Sequence, residues 1–205
     1  MRYLLVPGAG GQAWYWHRLA PLLPKAVAVE LPAADPEAGL AEYAEAILAA
    51  AGPDPGPVTV VAQSMGGLSA PLVCDRLDVR ELVLLNAMIP APGETGHEWG
   101  AGTGYVMTEP MDTMWHFFHD VPEEVTREAM AMGEPQQTNR PFDDPWPLPA
   151  WPDVPTRVLT GSDDRFFPPD FQRRVARERL GLEVQLVPGG HLIIELPDPE
   201  SPEPQ

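Results

Sequence analysis

Short apolar runs alternate with segments of helical period along most of the chain. The runs lack polar alternation, as expected of strands covered on both faces, and they lie at residues 3–6, 26–31, 57–63, 81–87, 156–161 and 183–189. The clearest helical period spans residues 40–51, where apolar side chains recur every three or four positions until Gly52. A further helix is predicted at 169–180. Strands that alternate with helices predict an α/β fold with a parallel six-stranded sheet flanked by helices.

Two shorter helical segments are expected between these elements. Aromatic and leucine side chains from Trp14 to Leu23 predict a short helix that ends near Pro24. A second helix should follow Ser64 and bury its leucines. Pro71 lies inside that segment, and we expect it to kink the helix rather than break it.

Residues 88–151 interrupt the regular alternation. Glycine, methionine and tryptophan are dense here, and the stretch RPFDDPWPLPAWPDVP holds six prolines, so it cannot supply a central strand. We interpret 88–151 as a cap insertion folded over one end of the sheet, with two short helices around 111–132. Residues 1–87 and 152–196 then form the single α/β core. The Pro/Glu-rich residues 197–205 are predicted to be a disordered tail.

Composition limits the partners of the chain. Its 205 residues suit one domain, and 30 acidic against 13 basic residues give a formal net charge of −17. Such a surface repels phosphate backbones and anionic headgroups, so we expect neither nucleic acid nor membrane as a partner. Cys74 is the only cysteine, which excludes an internal disulfide. The first apolar run is too short for a secretory signal, and a cytoplasmic protein is expected.

One serine stands where a predicted strand meets a predicted helix. The stretch VVAQSMGGLSA puts Ser64 between branched residues and two glycines, the setting of a nucleophile on a sharp turn, G-x-S-x-G. Gly66 provides the small residue after the serine, and Ala62 stands before it with one extra methyl group. The backbone N–H of Met65 would face an oxyanion formed at the serine. Alone, however, this short match equally fits an ordinary strand end.

Two later strands end in residues that a nucleophilic serine needs. TRVLTGSDDRFFP brings Asp163 and Asp164 after one strand, and EVQLVPGGHL brings His191 after the next. Asp164 could be only a helix-start carboxylate, and His191 could cap a turn. Their joint placement at strand ends, in the order Ser64, Asp164, His191, instead favours a catalytic triad.

The glycines after the first strand provide a candidate for the second oxyanion donor. In LLVPGAGGQAWYW they free the backbone to approach a ligand, and the N–H of Ala9 is the candidate. A plain glycine turn is the alternative. The predicted pocket residues are Gly8, Trp115 and Phe118.

The stretches LVPGAGGQAWYW, AQSMGGL, GSDDRFFPPDFQ and PGGHL resemble α/β-hydrolase-fold esterases, in particular the branch of plant methylesterases and hydroxynitrile lyases with its bacterial relatives. The resemblance covers the whole domain. It implies that Ser64 is the nucleophile, His191 the base and Asp164 the acid, with Ala9 and Met65 as oxyanion donors. It also implies that the insertion forms a cap lining the substrate pocket.

The chain departs from that branch at several positions. Pro7 stands where a histidine is usual, Ala62 replaces the first glycine of the elbow, and the final helix is reduced to LIIEL. The lyases need a lysine beside the catalytic histidine. Leu192 takes that place and Lys25 is the only lysine, so the esterase side of the branch is favoured.

These features predict a serine hydrolase that cleaves a small, largely apolar carboxylic ester and needs no metal or organic cofactor. Two alternatives remain open: a non-catalytic or weakly catalytic small-ligand-binding protein on the same fold, and an acyltransferase or lactonase with the same triad. His116 and His119 with Asp120 form too thin a set to favour a metal site, and we expect amphipathic histidines on a cap helix. The predicted partner is a small-molecule ester, and a homodimer is possible.

Overall fold

The computed structural model describes residues 1–107 and 109–193. Six strands form one sheet in the order β2-β1-β3-β4-β5-β6, and every pairing is parallel. Their bounds are β1 (Arg2–Val6), β2 (Ala26–Ala28), β3 (Val58–Gln63), β4 (Val79–Leu85), β5 (Thr156–Gly161) and β6 (Val184–Val187). The predicted α/β class and parallel six-stranded sheet are therefore confirmed. The predicted tail at 197–205 and the end of the predicted core at 194–196 lie outside the described residues.

Seven α-helices accompany the sheet in the described part of the chain. They are α1 (Leu40–Ala51), α2 (Gly66–Ser69), α3 (Gly96–Thr103), α4 (Thr113–His116), α5 (Glu123–Ala131), α6 (Arg140–Asp143) and α7 (Pro169–Leu180). The long helices α1 and α7 have the predicted bounds. None of the helices in the described ranges is both long enough and apolar enough to cross a bilayer.

Two helix predictions were wrong, and in the second a proline explains the difference. Between Trp14 and Pro24 the structure has two separate 3-10 turns, the second of which contains Pro21 in its first turn. After Ser64 the α-helix α2 lasts one turn and gives way to a 3-10 helix that contains Pro71. Because proline lacks an N–H and its ring crowds the preceding turn, the α-helical ladder ends there instead of bending.

The sheet is covered on both faces, which explains the unbroken apolar runs. Alternate residues such as Leu4, Val60 and Leu82 pack into the core that α1 and α7 cover. Their neighbours, including Leu5 and Val83, pack in a smaller cluster around the fully buried Trp16. Since all strands run in one direction, their carboxyl ends share one edge, where a ligand site is expected in such sheets.

The segment between β4 and β5 contains the helices α3 to α6. We call residues 88–151 the β4–β5 segment. Buried tryptophans attach it to the sheet and its helices: the Trp146 indole donates to the Leu68 carbonyl over 3.0 Å, and the Trp99 ring packs against Phe167. The two helices predicted around 111–132 correspond to α4 and α5. The helices α3 and α6 were not predicted, because glycine and proline weaken their periodicity.

Candidate active site

A strained turn joins β3 to α2 and presents Ser64. The backbone of Ser64 has φ of +51°, a left-handed conformation that L-residues rarely adopt. Its N–H donates to the Leu85 carbonyl over 3.2 Å, and its own carbonyl accepts from the N–H of Met88 over 2.9 Å. These bonds to the end of β4 and the loop beyond it hold the backbone of the turn in place.

Small residues let neighbouring loops approach this turn. A Cβ atom added to Gly66 would lie 2.7 Å from the Pro7 carbonyl oxygen, and one added to Gly8 would lie 2.8 Å from the Cβ of Ser64. The loop after β1 therefore lies directly against the serine. Ala62, which replaces the expected glycine, is fully buried within β3, so its methyl group fills core space and does not collide with the turn.

Ser64, His191 and Asp164 form one continuous hydrogen-bonded chain. His191 Nε2 lies 2.9 Å from Ser64 Oγ, and His191 Nδ1 lies 2.9 Å from Asp164 Oδ2. Both His191 and Asp164 are almost fully buried. The other carboxylate oxygen of Asp164 accepts the backbone N–H groups of Phe166 and Phe167, each over 2.8 Å. With the carboxylate fixed in this way, the neutral imidazole carries its proton on Nδ1 and leaves Nε2 free to accept from the serine.

Aromatic rings enclose the imidazole of His191. The ring centroids of Phe117, Phe166 and Phe167 lie 5.2, 5.0 and 5.2 Å from it, all in edge-to-face arrangements.

Burial, with the negative charge of Asp164, raises the pKa of Tyr105 to about 12. The Tyr105 phenol therefore stays protonated and donates to the Phe166 carbonyl over 2.7 Å.

Asn86, at the end of β4, was not singled out from the sequence. It is fully buried with φ of +46°, and its amide nitrogen donates to the carbonyls of Gly190 and His191, each over 3.0 Å. Its side-chain oxygen accepts the Gly161 N–H over 2.8 Å. Gln63 adds a bond from its amide to the His191 carbonyl over 3.2 Å. The only sequence signal was a polar residue ending the apolar run ELVLLNA.

Two backbone N–H groups beside Ser64 have no protein acceptor in the described part of the chain. Among the hydrogen bonds within the described ranges, neither the Ala9 nor the Met65 amide donates to a protein acceptor. In the same loop, by contrast, the Gly10 N–H donates to the side-chain oxygen of Gln137 over 3.0 Å. The Ala9 and Met65 amides are the two predicted oxyanion donors, and within the described ranges neither is bound to another protein group.

A cavity of about 550 Å³ opens above Ser64 and His191. Gly8, Ala9 and Phe118 line it, and its apolar wall also includes Met114, Phe117, Ala129, Met130 and Leu192. Glu134 is the only acidic residue of the lining, and no lysine or arginine of the described chain contributes to it. Two of the three predicted pocket residues, Gly8 and Phe118, are therefore placed at this cavity.

The third predicted pocket residue, Trp115, does not line the cavity. Its side chain is 41% exposed, and the Arg165 guanidinium lies over its ring, 4.8 Å from the centroid. The residues that do face the cavity, Met114, Phe117 and Phe118, are spaced three and four positions apart, which places them on one side of the helical turn. Trp115 points about 100° away from Met114 on that turn. This prediction was wrong, because the sequence did not show which face of α4 turns inward.

The histidines of the β4–β5 segment do not share a helix. His116 ends α4 and is almost fully buried, with Nδ1 lying 2.8 Å from the Asp112 carbonyl oxygen. His119 lies in the turn after α4, next to Asp120. Within the described ranges, no group of three histidine, cysteine or acidic side chains is arranged to hold a metal ion.

A family model described as "Alpha/beta hydrolase family" matches residues 3–203 of the chain. No match was found among curated protein sequences. Among solved structures, a pyrethroid hydrolase from Sphingobium faniae JZ-2 is 20% identical with a TM-score of 0.72, over 95% of this chain and 91% of that chain. A methylesterase from Arabidopsis is 20% identical with a TM-score of 0.73, over 95% and 92%.

A polyneuridine aldehyde esterase is 17% identical with a TM-score of 0.71, over 95% of this chain and 93% of that chain. At these identities the solved structures show a shared fold. Together with the family match, they confirm the resemblance that the sequence motifs predicted.

Proposed function

The chain belongs to the alpha/beta hydrolase family, and on that premise we propose that it is a serine hydrolase acting on small, largely apolar carboxylic esters. The observation that carries this proposal is the chain of 2.9 Å contacts from Ser64 through His191 to Asp164, of which Ser64 and His191 line the cavity. A strained serine, an imidazole and a buried carboxylate in this order are the groups that acyl transfer to a serine requires.

The proposed reaction begins when Ser64 Oγ attacks the ester carbonyl carbon. His191 Nε2 takes the hydroxyl proton and then donates it to the leaving alcohol, which departs and leaves an acyl-enzyme on Ser64. Water enters, gives a proton to His191 and hydrolyses the acyl-enzyme, releasing the acid and restoring the serine. Asp164 keeps the imidazole in the required tautomer and stabilises its positive charge.

The negative charge of the tetrahedral intermediate needs donors that are already in place. We assign this role to the N–H groups of Ala9 and Met65, which have no acceptor within the described ranges and flank Ser64 in the loop after β1 and at the start of α2. The close approach of Gly8 to Ser64 brings the first of these amides near the reacting carbonyl. Removing one such donor from a serine hydrolase costs on the order of 10²–10³ in rate.

The cavity supports an uncharged substrate. Its wall is mainly apolar and contains no lysine or arginine of the described chain that would pair with a substrate carboxylate, while Glu134 contributes negative charge. The solved relatives that are described as a pyrethroid hydrolase and a methylesterase share the fold and are consistent with this choice. We interpret the β4–β5 segment as the cap over this pocket.

Turnover of short p-nitrophenyl esters tests the proposal. The wild-type protein should release p-nitrophenol catalytically from the acetate and butyrate esters, and Ser64→Ala should reduce the rate to the background. Ser69→Ala is the matched control, because Ser69 is also buried but donates only to the Gly66 carbonyl. A folded wild-type protein without turnover would favour a ligand-binding role, and turnover that survives Ser64→Ala would reject the serine mechanism.

A further inference from the structure

A carboxylate of the β4–β5 segment bonds to the residue before His191. The Gly190 N–H donates to Asp120 Oδ2 over 2.5 Å, across 70 positions of sequence. Asp120 belongs to the turn between α4 and α5, outside the sheet and its helices. The contact therefore joins the proposed cap to the loop that carries the proposed base.

The carbonyl groups of the histidine loop are bound by side chains at the ends of β3 and β4. The Gly190 and His191 carbonyls accept from Asn86, whereas the Gly190 N–H has Asp120 as its acceptor. Gly190 is also closely packed, since an added Cβ would lie 2.6 Å from Asp120 Oδ1 and 2.7 Å from the His119 ring. Asp120 thus fixes the peptide N–H of the residue directly before His191.

The second carboxylate oxygen of Asp120 adds an unfavourable free energy to this arrangement. Asp120 Oδ1 is buried and has no hydrogen-bond partner within the described ranges, and His119 Nε2 lies 3.7 Å from it. Both ring nitrogens of His119 are likewise buried without a hydrogen bond. Burying a carboxylate oxygen without a hydrogen bond to protein is unfavourable, so its retention calls for an explanation.

We infer that Asp120 is a positioning residue that sets the place of the His191 imidazole by holding the preceding peptide. The inference rests on the proposed function. A charge-assisted hydrogen bond is roughly twice as strong as a neutral one, so it restrains the peptide closely. When the acceptor is removed, Gly190 keeps a buried N–H without a partner, and the loop relaxes to satisfy it. Displacement of the imidazole by about 1 Å costs on the order of a hundredfold in rate.

The test compares two substitutions of Asp120 that remove the hydrogen-bond acceptor with one that keeps it. Asp120→Ala deletes the carboxylate, and Asp120→Leu replaces it with an apolar side chain of similar size. A loss of rate that both variants share cannot come from a cavity left by the smaller side chain. Both should lower kcat for p-nitrophenyl acetate by about ten- to a hundredfold, with KM within about twofold of wild type. Asp120→Asn keeps an oxygen acceptor and should restore most of the rate.

Asp144 provides the matched control within the same segment. Its side chain is 19% exposed against 22% for that of Asp120, and its carboxylate also accepts a backbone N–H of the core, that of Leu40 over 2.8 Å. Asp144→Ala should lower the melting temperature without changing kcat.

Several results would overturn the inference. If Asp120→Ala and Asp144→Ala have equal kcat in an active wild-type background, Asp120 has no positioning role. If Asp120→Asn is as slow as Asp120→Leu, the charge and not the hydrogen bond to Gly190 matters. A wild-type protein without turnover would overturn the proposed function and this inference together.

Discussion

Replacing Asn86 by aspartate tests the framework that holds the histidine loop. The two side chains have nearly the same shape, and both tolerate the left-handed backbone that this position requires, with φ of +46°. The oxygen that accepts the Gly161 N–H is retained. The change converts the amide donor to a carboxylate oxygen that faces the carbonyls of Gly190 and His191, both 3.0 Å from the present nitrogen.

The size of the effect follows from these two bonds. The Gly190 carbonyl loses its donor at a cost of about 1–3 kcal/mol, whereas the His191 carbonyl keeps the Gln63 amide and loses one bond, worth about 0.5–1.5 kcal/mol. The sum is about 1.5–4.5 kcal/mol before the buried charge is considered. The lower figure corresponds to a fall in melting temperature of about 3–6 °C for a domain of this size. If the same free energy is lost in the transition state, kcat/KM falls by about tenfold.

Thermal unfolding and ester hydrolysis measure both consequences on the same samples. Asn139→Asp is the control, because it makes the same chemical change at an exposed residue near the start of α6 and should leave both quantities unchanged. If Asn86→Asp has the melting temperature of the control and a kcat/KM within about twofold of it, the bonds to the histidine loop do not have the role assigned to them.

Three other perturbations are predicted from local geometry. Gly8→Ala should abolish ester hydrolysis, because the added Cβ would lie 2.8 Å from the Cβ of Ser64. Gly100→Ala is the control and should leave the rate of hydrolysis unchanged, because the space around Gly100 is open. Asp164→Asn should lower kcat by on the order of 10³–10⁴ and Asp163→Asn, an exposed residue, should change it little; the reverse order would show that the wrong carboxylate was chosen. Burial raises the pKa of Cys74 to about 12, so iodoacetamide at pH 8 should label it only after unfolding, and rapid labelling of the native protein would contradict its burial.

The fold and the three central residues could be predicted because they depend on regular patterns. Apolar runs bounded by glycine and proline located the strands, and parallel strands end at one edge of a sheet. Ser64, Asp164 and His191 each follow such a run, so their proximity followed from topology without any knowledge of side-chain contacts. The structure places Ser64 and Asp164 each within hydrogen-bond distance of His191.

The supporting residues could not be predicted, because their partners are remote in sequence. Asn86 and Asp120 bind backbone groups of the histidine loop about 70 to 105 positions away, and backbone groups leave no mark in the sequence. Trp115 was misplaced because a helix of four residues is too short to show which face is buried. The homodimer and the cytoplasmic location stay predictions from the sequence.

The site of covalent modification by a fluorophosphonate tests the central claim most directly. The purified protein is treated with the probe, digested and analysed by peptide mass spectrometry, with Ser64→Ala treated in parallel. We expect one phosphonyl adduct per chain, on Ser64, and none in the variant. An adduct on another residue, equal labelling of Ser64→Ala, or an unlabelled wild-type protein that hydrolyses esters would contradict the assignment of Ser64 as the nucleophile.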